Sequence, residues 1–402
     1  MAVYDTIVLG LGGMGSAAVA HLASRGNRVL GLEQFTSPHS RGSSHGATRV
    51  VRQAYFEHPS YVPLLRRAYE LWRDLERRTN TSLLHLTGGL MLGPANSPVV
   101  SGSLRSAREH GLDHEYLEAG EIRRRFPAFQ VSEDTLALFE PTAGFVGCES
   151  SVAAHLQWAT QAGAELRFEE PALEWSASGG GEGVTVRTAQ ATYSARRLVL
   201  TPGPWAPRIL ADLGLPLKVT RQVLCWFQPP GGVEPFLSER FPIYIWQRGE
   251  GEEVYGFPAV DGPEGGVKAA FFHQPRTEET TPETVERRIR PEDVADLQNA
   301  LGQFLPGLVG PCLQAKVCLY TSTPDGHFVI CRHPERSQVT LAAGFSGHGY
   351  KFCSVVGEIL ADLAETGQTR HDLSRFAPDR FRAGRNGSAL GPSTGPAGCH
   401  NG

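Results

Sequence analysis

The stretch Asp5-Thr-Ile-Val-Leu-Gly10-Leu-Gly12-Gly-Met-Gly15, followed after a helix-forming segment by Arg28-Val-Leu-Gly-Leu-Glu33, decides the fold of this chain. An apolar strand runs into a Gly-x-Gly-x-x-Gly turn, a helix follows, and an acidic residue ends the next strand about 20 residues on. That order of parts binds the ADP half of a dinucleotide. Gly10 permits the tight turn, Gly12 lets backbone approach a pyrophosphate, and Gly15 lets helix and sheet pack closely, while the helix N-terminus favours phosphate charge. Glu33 is placed to accept hydrogen bonds from the ribose hydroxyls. The glycines alone are weak evidence; the flanking strand and helix, with Glu33, make a plain turn the poorer reading. The pattern does not separate NAD from FAD, but an acid at position 33 argues against NADP, whose extra phosphate it would repel.

The other residues set the scale. With 402 residues, 41% of them hydrophobic and 20% charged, the chain can bury a sizeable core as two domains or one large composite. Its 38 basic and 42 acidic residues leave a formal charge of -4, which argues against nucleic acid as a partner. The run Arg123-Arg124-Arg125 reads as a solvated helix face. No apolar stretch reaches the length of a membrane span, and the first residues form strand, turn and helix rather than a signal peptide. The seven cysteines are scattered, odd in number and without metal-ligand spacing, so the reading is reduced thiols, no metal and a cytoplasmic setting.

Periodicity gives the organisation. Leu64, Leu65, Ala68, Leu71, Trp72 and Leu75 fall on one side of a helix over 61–78. Residues 145–200 read as a helix over 151–163, strands over 165–169, 184–188 and 197–201, and a Gly-rich turn at 179–183. The last strand leaves through Thr201-Pro-Gly203-Pro-Trp205, where backbone can approach a ligand. Aromatic-rich strand segments over 219–275 suggest an antiparallel sheet forming a substrate domain. A second strand-to-helix transition, Val339-Thr-Leu-Ala-Ala-Gly344 into Gly347-His348-Gly349, ends in a helix whose N-terminus suits an electron-rich ring edge.

The basic loop Ser40-Arg-Gly-Ser43-Ser-His45-Gly-Ala-Thr48-Arg49-Val-Val-Arg52 follows the dinucleotide unit. Arg49 and Arg52, three residues apart, would share a face on a helical turn and could bind an anionic substrate or polarise a cofactor; a surface turn with salt bridges is the competing reading. With the Gly-x-Gly-x-x-Gly unit, His45-Gly-Ala-Thr-Arg49-Val-Val-Arg52, Tyr255-Gly-Phe-Pro258, Cys318-Leu-Tyr320-Thr-Ser-Thr-Pro-Asp and Gly344-Phe-Ser-Gly-His-Gly-Tyr-Lys351-Phe, the chain resembles the monomeric sarcosine oxidase family of flavoenzymes. That family includes N-methyltryptophan and pipecolate oxidases.

The resemblance implies an α/β (α+β composite) fold: a Rossmann-like FAD-binding domain of the glutathione-reductase type with an antiparallel-sheet substrate domain. The expected division is 1–85, 145–218 and 315–383 for FAD, 86–144 and 219–314 for substrate, and 384–402 as a disordered tail. By resemblance, Cys318 is the covalent flavin anchor through a thioether. Lys268 matches the lysine that promotes reaction with oxygen, although this chain has a longer turn, Val260 to Gly266, before it. A preplaced ammonium would stabilise the anion formed as oxygen is first reduced. Arg52 and Lys351 match the pair that clamps the substrate carboxylate, Arg49 a basic residue near the flavin, and Tyr255 and Tyr320 aromatic residues lining the pocket. His45 belongs to the same block and is taken with the catalytic group. Ser43, Thr48, Gly203, Gly347, His348, Gly349 and Lys351 are taken as flavin contacts with Gly10, Gly12, Gly15 and Glu33. A family histidine is replaced by Phe272, and His273 stands one position later. A one-residue shift in a strand reverses the face, so Phe272 would make the pocket more apolar.

The expected activity is oxidation of a secondary amino acid, sarcosine or another N-methyl amino acid, to an imine, with O2 reduced to H2O2 by a monomer. The alternatives are a pipecolate- or proline-type oxidase, an NAD-dependent dehydrogenase and a non-catalytic flavin-binding protein.

Overall fold

A computed structural model describes residues 4–178, 183–273 and 277–381. The expected tail and residues 179–182 of the expected turn lie outside the described residues. Strand Tyr4–Leu9 runs parallel to Thr192–Leu200 on one side and to Val29–Leu32 on the other, with Glu165–Arg167 beyond. Val339–Ala343 lies parallel to the end of Thr192–Leu200, where Glu174–Ala177 and Val184–Arg187 have already left on antiparallel pairings. Parallel strands are covered on both faces. Ile7, Val8, Leu30, Leu198 and Leu341 accordingly have no solvent exposure.

Helices Gly13–Ser24, Val62–Thr79, Cys148–Gln161 and Cys353–Thr366 pack into one core against this sheet. A Cβ on Gly357 would stand 2.5 Å from that of Ala17, so glycine sets how closely the first and last of these helices approach. The amphipathic reading of Val62–Thr79 holds: Leu64, Leu65, Ala68, Leu71, Trp72 and Leu75 are all buried. Burying each of the large side chains there contributes about 1.5–3 kcal/mol.

A second eight-stranded sheet runs in the order Cys312–Ser322, Lys218–Phe227, Val267–His273, Glu252–Gly256, Ile243–Gly249, Gly89–Pro94, Thr135–Glu140 and Glu115–Glu118. It is antiparallel except where Ile243–Gly249 meets Gly89–Pro94 in parallel, a pairing that joins the two halves of the expected substrate region. Its alternate residues face a core of their own that holds Phe129, Phe227, Phe241, Tyr244 and Phe304.

One local expectation is overturned. Arg49 and Arg52 do not share a helical turn: Thr48–Val51 is a strand, antiparallel to Gly144–Gly147. The β-branched residues Thr48, Val50 and Val51 favour that extended state. The helix expected from 151 begins at Cys148, after Gly147 in an extended conformation, and strand Thr192–Leu200 starts five residues before the expected 197.

Candidate active site

The dinucleotide turn is built as the sequence implied. Gly10 has φ +91°, and a Cβ there would stand 2.5 Å from the Thr201 carbonyl oxygen; a Cβ on Gly15 would stand 1.7 Å from the Gly10 oxygen. No other residue fits these two positions without moving backbone. Glu33 is buried and accepts the amides of Leu11 and Phe35 at 2.8 and 3.1 Å, and the His39 ring lies 3.4 Å away. A long cleft starts here, lined by Gly10, Gly12, Gly13 and Glu33, passes Ser43, Pro202 and Gly203, and ends at Tyr320, Gly347, Gly349 and Tyr350.

A second, smaller cavity adjoins that far end, and Arg49, Tyr320, Gly347 and Tyr350 line both. Its other walls include Val50, Ile245, Tyr255 and Phe272, with Arg52, Glu57, His348 and Lys351 as the polar set. Ile245, Tyr255 and Phe272 come from the second sheet, where period-two alternation brings Tyr255 and Phe272 to one face, and Val50 comes from strand Thr48–Val51. Arg52 is buried, lies over the Tyr55 and Phe56 rings and donates to both Glu57 oxygens at 2.8 and 2.7 Å. Burial opposes charge on Glu57, but Arg52, His348 and Lys351 together hold its carboxyl below the ordinary value. The Lys351 ammonium donates to the His348 carbonyl at 2.7 Å; burial, with Arg52 beside it, pushes its pKa down to about 7, against the pull of Glu57. His348 receives the Tyr55 hydroxyl on Nδ1 and donates from Nε2 to the Gly326 carbonyl at 2.9 Å. Burial takes this imidazole down to about 4, so it is neutral at physiological pH.

Two basic side chains meet at the partition, Arg49 within it and Lys268 behind it. Arg49 donates from Nη2 to the carbonyls of Ser43 and His45 at 2.9 and 2.5 Å, with the Cys318 sulfur 3.7 Å from the same nitrogen. Lys268 donates to the carbonyls of Gly46 and Thr48 at 2.6 and 2.8 Å and approaches the Thr48 hydroxyl at 3.2 Å. Burial and the neighbouring Arg49 move its pKa well below the ordinary lysine value, while the Phe257 and Trp226 rings lie under the nitrogen. The loop that supplies these carbonyls is itself held by Glu149, which accepts the Gly46 and Ala47 amides at 2.6 and 2.8 Å. His45 is buried and neither ring nitrogen has a partner among the described residues; burial, then Arg49, lowers its pKa to about 3.

Residues 5–363 match the family model described as FAD dependent oxidoreductase. A monomeric sarcosine oxidase of Streptomyces avermitilis is 54% identical over 381 residues, which is 94% of this chain and 98% of the relative. The chain belongs to the monomeric sarcosine oxidase family. An N-methyl-L-tryptophan oxidase of Yersinia pestis is 35% identical over 94% of this chain and 100% of its own length. The solved structure of NikD, an amino acid oxidase of nikkomycin biosynthesis, superposes with a TM-score of 0.81 at 26% identity, covering 94% of this chain and 98% of that one. The expectation of a flavoprotein fold with mixed α/β layers is met.

The site residues sort by place. The five expected substrate residues, Arg52, Lys351, Tyr255, Tyr320 and Phe272, all line the smaller cavity. Gly10, Gly12, Glu33, Ser43, Gly203, Gly347 and Gly349 line the long cleft, whereas His348 and Lys351, also taken as flavin contacts, line only the smaller cavity. Gly15, His45, Thr48, Lys268 and Cys318 stand one layer behind the walls. Thr48 turns its carbonyl and hydroxyl towards Lys268, and Cys318 sits behind Arg49 and Ser43. His273 ends its strand opposite Glu253, and its side chain lies outside the described residues. Sequence reasoning missed Gly13, Glu57, Glu149 and Tyr350. A Cβ on Gly13 would stand 2.6 Å from the Cys353 sulfur, and Tyr350 donates to the Cys148 carbonyl at 2.6 Å. Glu57 and Glu149 carried no motif of their own.

The donor set fits FAD: a glycine turn closed to a Cβ at Gly10 and Gly15, an acid at the ribose position, and a cleft ending beside Arg49 and Lys268, with the His45 imidazole unpartnered among the described residues.

Proposed function

We propose that this protein is an FAD-dependent oxidase of N-methyl amino acids, sarcosine-like in substrate size, that converts the amine to an imine and O2 to H2O2. One observation carries the reading. A small apolar cavity holding Arg52 and Lys351 shares four wall residues with the end of the dinucleotide cleft, so a carboxylate held by the two cations leaves its amine against that partition. FAD held along the cleft by Gly10, Gly12, Glu33, Ser43 and Gly347 would supply a two-electron acceptor for the C–H bond beside the nitrogen, with oxygen as the terminal oxidant.

The protein's own groups do the positioning. Arg52 and Lys351 bind the carboxylate in competition with Glu57, whose two oxygens already accept from Arg52 Nη2. Fixing one end of a small substrate against a rigid wall supplies much of the rate advantage. Tyr255 and Tyr320 are held protonated by burial and His348 is too weak a base, so the amine proton must be lost before turnover. Lys268 and Arg49 give the partition its positive potential, which favours the anion formed as oxygen is reduced.

Cys318 is the proposed thioether anchor: it carries the family's C-x-Y-T pattern and lies 3.7 Å from both the Ser43 carbonyl and Arg49, two residues that line the cleft. We further assign 1–85, 145–218 and 315–383 to FAD and 86–144 with 219–314 to substrate, in a monomer of the cytoplasm. Among the described residues no helix is long and apolar enough to cross a membrane. Anaerobic reduction of the flavin across sarcosine, N-methylated aromatic amino acids, pipecolate and proline, with peroxide measured on admitting air, tests the assignment. Bleaching by none of them rejects it, and faster bleaching by the cyclic acids moves the substrate class.

A further inference from the structure

Strands Lys218–Phe227 and Cys312–Ser322 pair antiparallel in strict register from Lys218 opposite Ser322 to Trp226 opposite Gln314. The next pair is Phe227 with Cys312, which makes Leu313 the extra residue of a bulge. Cys225 and Phe227 point to one face of the sheet by alternation, and Cys312, opposite Phe227, joins that face. Both cysteines pack into the core of the second sheet two register positions apart on one face, and each thiol feels the other electrostatically, while the Cys312 sulfur donates to the Gln314 carbonyl at 3.2 Å. Cys225 has no solvent exposure, whereas Cys312 is half-buried at the start of the edge strand, beside the exposed side chain of Leu313. A small oxidant therefore meets Cys312 first, with the Cys225 thiol diagonally behind it on the same face.

We propose that Cys225 and Cys312 form a dithiol that hydrogen peroxide converts to a disulfide, a modification site separate from the flavin cleft. The neighbouring Cys225 thiol holds the Cys312 thiol below the ordinary cysteine value, and Cys312, with burial, pushes Cys225 up. That asymmetry gives one nucleophilic thiolate and one resolving thiol. The Cys312 sulfur attacks a peroxide oxygen, the O–O bond breaks, and the leaving hydroxide takes a proton to become water; Cys312 is now a sulfenic acid. The Cys225 sulfur attacks the Cys312 sulfur, the S–O bond breaks, and hydroxide leaves with the Cys225 proton as a second water. Two thiols are oxidised and one peroxide is reduced. Only the source of the peroxide rests on the proposed oxidase reading. The bond would staple the edge strand that also carries Cys318 and Tyr320 to its neighbour.

The test uses reduced holoenzyme in two arms, one given hydrogen peroxide directly and one given sarcosine in air, each followed by alkylation and peptide mapping without reduction. The expected result is a Cys225–Cys312 cross-linked peptide in both arms, reversed by dithiothreitol, and a dimedone-trapped sulfenic acid at Cys312 in Cys225→Ser. The proposal fails if both thiols remain alkylatable at peroxide levels that oxidise the protein's methionines, or if Cys312 passes to the sulfinic acid while Cys225 stays free. It also fails if sarcosine yields peroxide without the cross-link. A cross-link from added peroxide with no peroxide from any amino acid upholds the dithiol and removes the oxidase reading instead.

Discussion

Glu149 and Lys268 grip the same glycine from opposite sides: the carboxylate accepts the Gly46 amide at 2.6 Å, and the lysine donates to the Gly46 carbonyl at 2.6 Å. The orientation of the lysine therefore depends on a carboxylate at the start of helix Cys148–Gln161 that never touches it. Glu149→Ala removes two charge-assisted bonds, each contributing about 1.5–3 kcal/mol, and frees the loop whose carbonyls hold Lys268 and Arg49. The variant should melt at lower temperature and reoxidise more slowly. Unfolding scans and stopped-flow mixing of the reduced enzyme with oxygen measure both; unchanged reoxidation would leave Glu149 a purely structural residue.

Lys268→Met keeps the length of the side chain and deletes its donors. Reoxidation by oxygen should slow far more than reduction by substrate, because the ammonium matters only once negative charge appears on oxygen. Equal slowing of both half-reactions would remove the oxygen role from this residue.

Cys318→Ser should leave flavin that acid precipitation releases into the supernatant, whereas the parent pellet stays yellow. Mass spectrometry of the peptide bearing position 318 reads the same question directly, and a free thiol there in active enzyme would end the anchor assignment.

The pH dependence has two opposed limbs. The substrate amine must arrive as its free base, so kcat/KM should first rise with pH. Lys351 loses its charge as pH rises through about 7 in the free enzyme, the value set by burial and Arg52, with Glu57, Tyr55 and Cys353 also facing it. Carboxylate binding should therefore weaken above that point and bend kcat/KM downward. At saturation the bound carboxylate restores the ammonium, so kcat should keep rising. Lys351→Met should raise KM and abolish the downward limb; a profile unchanged in shape would mean that Lys351 does not hold the carboxylate.

Much of this site was legible because its decisive positions are ones where backbone, rather than side-chain contact, sets the residue. Gly10 and Gly15 announce a strand–turn–helix because any Cβ would strike the Thr201 or Gly10 carbonyl. Tyr255 and Phe272 were named from the family resemblance, and strand alternation served only to set Phe272 and His273 on opposite faces. Arg49 and Arg52 were assigned to a turn because their spacing fits one, and only the pairing with Gly144–Gly147, nearly a hundred residues away, makes Thr48–Val51 a strand. Tertiary pairing overrides local spacing there. Glu57 and Glu149 were silent for a related reason: each acts on groups distant or non-periodic in sequence, Glu149 on amides 103 and 102 residues before it.

Phe272 sets the size of the pocket. Its ring lies 6.2 Å from that of Tyr320 and 6.3 Å from that of His348, and a Cβ on Gly347 would stand 2.5 Å from the Tyr320 ring and 3.0 Å from Phe272. The wall is filled to within one carbon, so a substrate with a bulky side chain has to displace an aromatic ring. Phe272→Leu opens that side while keeping the surface apolar. Changes of this size in an apolar pocket alter discrimination by about 1–3 kcal/mol, or roughly 10- to 200-fold. The ratio of kcat/KM for N-methyltryptophan to that for sarcosine should rise by at least the lower figure, with most of the change in KM. Gly347→Ala should do the reverse, losing both substrates, because φ is +79° and the added methyl enters the Tyr320 ring. If Phe272→Leu left the ratio unmoved, substrate size would be set at another wall, and Ile245, paired with Tyr255 two strands from Phe272, would be the residue to change next.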